Sequence, residues 1–179
     1  EAHYHNPESE VLFFHFMAAE EKNHLQTLFL LTDALGIKRE RLRESGPNAR
    51  CLLRTNYFSR LAIYATPGEI ALGILLNFPV WAAGARQEAL GLRRNYGLGH
   101  EVAGTDKRDT DILDRFAAAT KGFKDSAIRI IARDLGHRTE DEMKLVGRWA
   151  VEYEALVWQS YYSEGLKAAE LLKRRGRGP

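Results

Sequence analysis

Cysteine is almost missing from this 179-residue chain. The single residue, Cys51, excludes an internal disulfide framework and a zinc site built from thiolates. Proline is scarce at 5 residues and glycine stands at 15, which sets the chain apart from collagen-like and low-complexity sequences. There is no glycine-rich phosphate loop and no nucleophile elbow for Ser-His-Asp catalysis. Long alternation of β-branched and polar residues is missing as well, so no strand is expected. No apolar run reads as long enough to span a bilayer, and no signal-peptide pattern follows Glu1. The reading is a cytoplasmic protein with no membrane partner.

Charge of one sign is also in short supply. The net charge is +2, and four of the 26 basic residues fall in the last stretch, 173–177. Without them the body holds 22 basic against 24 acidic residues, so no nucleic-acid partner is expected. The chain divides into one domain, 1–172, and a basic flexible tail, 173–179.

What is present reads as helix after helix. Asn6-Pro7 starts a helix that runs to Gly36, and Pro47 opens another over about 48–65. Thr66-Pro67-Gly68-Glu69 is a capping box that starts a long apolar helix reaching about Arg94. Residues 95–107 read as a loop. Asp109 or Thr110 caps a helix to about Thr120, and Gly122 separates it from one ending at Gly136. Thr139 and Glu142 form a second capping box, for a final helix to about Lys173. These elements suggest an all-α bundle.

Two helical faces carry more than packing. Around Glu154 the final helix presents Met143, Gly147, Ala150, Val157, Trp158 and Tyr161, with no second charge. A carboxylate in such a stripe raises its pKa, finds a partner, or faces a wet pocket. All three suit acid–base work; a buried Glu satisfied by an Arg or Tyr from another helix is the structural alternative. Glu88 repeats the pattern beside Ile74, Asn77, Trp81 and Gly84, where Pro79 interrupts the hydrogen-bond ladder and frees the carbonyl of Leu75. Glu21-x-x-His24 has the spacing of a di-iron ligand pair, with Glu20 beside it, but no second such motif exists. His24 therefore reads as a core histidine, and no metal or cofactor is expected. Cys51 reads as incidental, because nothing near it in sequence supplies a base.

The order of these features resembles the TenA family of the haem-oxygenase-like superfamily. Tyr153-Glu154-Ala155-Leu156-Val157-Trp158-Gln159-Ser160-Tyr161 is similar to the family's C-terminal signature. Glu69, Leu75-Leu76, Pro79 and Trp81 resemble its Leu-Leu-Pro-Cys segment, and Glu20 to Gly36 resembles the helix before it. The resemblance implies a haem-oxygenase-like helical bundle with a central pocket, a homo-oligomer, and thiaminase II-type hydrolysis of an aminopyrimidine without metal. It implies Glu154 as acid–base residue, Glu88 as a second catalytic carboxylate acting on water, and Tyr57, Trp81, Trp158 and Tyr161 as walls for a small-molecule heterocycle. The sequence departs from the family beside Pro79, where Phe78 and Val80 stand in place of the nucleophilic cysteine. It departs again after Trp81, where Ala82 and Ala83 replace aromatics. A non-catalytic binding or oligomeric protein of the same fold is the alternative, and a haem or di-iron redox enzyme the third reading.

Overall fold

The computed structural model describes residues 8–44, 46–118 and 121–175, and among them there are seven helices and no strand. They are α1 (Glu8–Ala34), α2 (Arg39–Glu44), α3 (Ala49–Tyr64), α4 (Pro67–Tyr96), α5 (Asp111–Ala117), α6 (Lys121–Asp134) and α7 (Glu140–Arg175). The fold is all-α. The short α2 was not expected, and α7 continues three residues into the stretch that reads as a tail. The Asn6 cap lies outside the described residues.

The start signals act as local chemistry dictates. The Asn48 side chain accepts from the Cys51 N–H at 3.0 Å and fixes the start of α3. At α4 the Thr66 N–H donates to Glu69 Oε2 at 2.7 Å, and the Glu69 N–H donates to Thr66 Oγ1 at 3.3 Å. The same reciprocal pair joins Thr139 and Glu142 at α7. α4 stops at Gly97, whose φ of 67° is the left-handed turn that glycine adopts without strain. Thr110 departs from expectation: it precedes α5 but makes no side-chain cap, because its hydroxyl donates to Asp114 Oδ2 at 3.0 Å and accepts from Arg93. α6 begins at Lys121, so Gly122 lies inside it rather than ahead of it.

α4 is the hub, packed by α3, α5, α6 and α7. It is also long and apolar enough to cross a membrane by length and composition, which the reading of its sequence missed. In the fold it serves instead as the central core helix. Small residues on α4 let its neighbours approach. Ala71 meets Phe13, Phe123 and Ile130 of α1 and α6, while Ala85 and Ala89 meet Leu31, Ile112 and Leu113 of α1 and α5. A third cluster, Tyr57, Leu61, Val146 and Ala150, joins α3 to α7.

The start of α4 is tied to the end of α6. The Gly68 N–H donates to Asp134 Oδ2 at 2.7 Å, placing a carboxylate at the positive end of the α4 dipole. A Cβ on Gly68 would run into the Asp134 side chain. Gly68→Ala is therefore expected to destabilise the fold by roughly 1–3 kcal/mol. Thermal denaturation checks this, and an unchanged Tm would show that Asp134 yields without loss.

Candidate binding cavity

A cavity of about 490 Å³ opens between α1, α3, α4 and α5. Helical spacing builds its walls. On α4, Ile74, Asn77, Phe78 and Trp81 fall at i, i+3, i+4 and i+7, one face of a helix. On α3, Arg54, Thr55, Phe58 and Ser59 fall at i, i+1, i+4 and i+5, also one face, while α1 adds Met17 and α5 adds Phe116. α4 passes through Pro79 as one continuous helix, with Pro79 itself on the exposed side.

The polar groups of this cavity are short of partners. Asn77 is 3% exposed, yet neither its Oδ1 nor its Nδ2 has a hydrogen-bond partner. An amide buried in that condition carries a desolvation penalty of about 1–3 kcal/mol. The indole N–H groups of Trp81 and Trp158 are likewise buried without an acceptor. Asn77 and Trp81 border the cavity, while Trp158 lies outside its lining.

Behind this wall lies Glu154, only 2% exposed on α7. Its Oε2 lies 2.9 Å from Arg54 Nε in an ion pair, although neither carboxylate oxygen nor Nε makes an aligned hydrogen bond. The Arg54 guanidinium also stacks near two rings, 4.8 Å from the Trp81 centroid and 5.2 Å from that of Phe58. Of the outcomes open to a carboxylate in an apolar stripe, partnership with an arginine of another helix is the one realised.

From Trp81 an aromatic series leads outward. Trp81 and Trp158 lie 5.3 Å apart between centroids, and Trp158 meets the edge of Tyr161 at 5.9 Å. Gly84 leaves room for the Trp158 ring, which a Cβ there would strike. Burial is the largest influence on the Tyr161 phenol and raises its pKa, although 45% of the residue remains exposed; Cys51, Arg54, Glu154 and Glu88 add smaller electrostatic effects. The structure thus brings Trp81, Trp158, Tyr161 and Glu154 together and sets Glu88 and Cys51 near their outer end. Glu88 is exposed along the helix, but crowding around its carboxyl desolvates it and raises its pKa.

Tyr57 is placed elsewhere. It is 4% exposed in the α3–α7 core, stacked near Tyr153 at 4.9 Å, and its hydroxyl donates to the Val146 carbonyl at 2.8 Å. Burial pushes its phenol up to about 12 from 10.0. The neutral phenol therefore contributes stability that is complete below pH 10 and fades as pH rises toward 12. Tyr57→Phe is expected to lower stability by about 1 kcal/mol without altering any ligand affinity. Paired denaturation and binding titrations check both halves, and a loss of affinity would move Tyr57 into the site.

His24 is a buried residue stacked on Phe116 at 4.2 Å. The side chains of Glu20 and Glu21 lie outside the described residues, and among those described no group of three or more His, Cys, Asp or Glu is placed to hold a metal ion. Two residues central to the cavity, Arg54 and Asn77, were not singled out from the sequence. The signal for Arg54 was available: it shares a helical face with Tyr57, Phe58 and Leu61, an odd place for a cation without a partner. No family model matches the chain, and comparison with curated proteins and with solved structures gives no match either.

Proposed function

We propose that this chain is a TenA-like, haem-oxygenase-like pocket protein that binds a small flat heterocycle, of the thiamine-pyrimidine class, in the cavity between α3 and α4. The observation that carries the reading is Asn77. Its amide holds one donor group and one acceptor, both unmet and both covered beside aromatic walls, so a ligand edge would reach them as those walls part. An aminopyrimidine presents an exocyclic N–H next to a ring nitrogen, an edge that complements a carboxamide. Rings stacked on Trp81 and Phe58 would supply the apolar part of the affinity. The volume of about 490 Å³ falls in the range of small-ligand sites.

Binding without turnover is the favoured form. Glu154 is taken up by Arg54, Glu88 stands on an exposed stretch of α4, and neither carboxylate lines the cavity. The hydrolase form rests on one observation, the Glu154 carboxylate with no hydrogen bond to either oxygen, which a water would reach once a ligand shifts Arg54.

A thermal-shift panel of pyrimidines, thiamine fragments and unrelated heterocycles tests the proposal. A ligand held at a hundred times its Kd should stabilise the fold by about 2.7 kcal/mol. A flat Tm across the whole panel would remove the reading, and release of ammonia from an aminopyrimidine would promote the hydrolase form.

A further inference from the structure

We propose that the ligand carries a carboxylate, seated on the Nη edge of Arg54. The inference rests on the cavity being a heterocycle site and adds the charge of its guest. Arg54 lines the cavity, and its closest approach to Glu154 is through Nε. No hydrogen bond from either Nη group to the protein is formed among the described residues. A guanidinium ion-paired on one side and flanked by two rings is oriented in advance, and its N–H fork matches a carboxylate in two parallel hydrogen bonds.

The rest of the lining agrees. Among the described lining residues Arg54 is the one charged group and none is acidic. Thr55 and Ser59 place two further hydroxyl residues in the lining. Glu154 lies outside the lining, beside the guanidinium. A single cation suits a singly charged carboxylate better than a phosphate dianion, which would call for a second positive partner.

The test is a calorimetric titration of the full chain with three probes on one aminopyrimidine ring: the carboxylate, the matching carboxamide and a phosphomonoester. The carboxylate is expected to bind at least tenfold more tightly than the carboxamide, and more tightly than the phosphomonoester. Arg54→Lys keeps a cation for Glu154 but removes the fork, so it should erase most of that preference. Equal affinities, or a preference for the carboxamide, would overturn the inference and leave the heterocycle reading standing. Tightest binding by the phosphomonoester would overturn the carboxylate assignment. No binding by any probe would refute the cavity reading and this inference with it. Should Arg54→Lys fail to fold, the wild-type ranking alone decides.

Discussion

Asn77→Leu is expected to yield a protein that is more stable than the natural chain and unable to bind its ligand. Leucine shares asparagine's branching, is somewhat bulkier, and removes two buried polar atoms that have no partner. Relief of that penalty is worth roughly 1–3 kcal/mol. For a chain of this length that corresponds to a rise in Tm of about 2–4 °C per kcal/mol. The same change deletes the donor and acceptor proposed to read the heterocycle edge. Stability gained as binding is lost is the pattern of a residue kept for function at the expense of the fold. Calorimetric unfolding beside a binding titration measures both. A fall in Tm would mean that the Asn77 amide is satisfied in solution and that its burial is structural.

The second large effect concerns the Arg54–Glu154 pair. Arg54→Met should destabilise the fold by about 3–5 kcal/mol, because Glu154 is left buried with no counter-charge. Replacing both, as Arg54→Met with Glu154→Leu, should recover most of that loss, since an apolar pair in the same space needs no desolvation of charge. The single variant should also acquire a distinct pH dependence. A carboxylate stranded in an apolar site has its folded pKa raised above the ordinary value of about 4.3. Its protonated form then favours folding, so the deficit of Arg54→Met should be small at low pH and grow as pH climbs through the raised pKa. Urea denaturation from pH 4 to pH 8 checks this. A deficit independent of pH, or a double variant as unstable as the single one, would show that Arg54 acts by packing on Trp81 and Phe58 rather than by charge.

Sequence reasoning reached the helices because their boundaries are written in local chemistry. Thr66 with Glu69 and Thr139 with Glu142 act on the backbone within one turn of themselves. Thr110 shows the limit of that logic. It has the right residue type at the right place, yet its hydroxyl goes to Asp114 one turn on, a carboxylate that Arg93 of α4 holds from across the fold at 2.6 Å to Oδ1. Periodicity also isolated Glu154 and Trp158, since a lone charge on an apolar stripe is visible on a helical wheel. It could not say whether Glu154 faces a pocket or a partner, because Arg54 stands a hundred residues earlier and the pairing is set by how α3 and α7 pack. Tyr57 illustrates the converse. Its aromatic character suited a pocket wall, but rotation of α3 in the bundle turns it toward Val146 and presents Arg54 and Phe58 to the cavity. Asn77 was visible as the polar residue on the Trp81 face, and only the packing of α1 and α3 around it shows that nothing satisfies it.

The central claim is that the cavity beside Asn77 and Trp81 receives a flat heterocycle. Trp81 reports on it directly, being both a cavity wall and a fluorophore. The decisive measurement is a tryptophan-fluorescence titration of the natural chain and of Asn77→Leu with an aminopyrimidine and its carboxylate. A saturable change in the natural chain that vanishes in Asn77→Leu, while the variant remains folded and more heat-stable, is the expected result. No saturable change in the natural chain, or the same titration curve in both proteins, would contradict it.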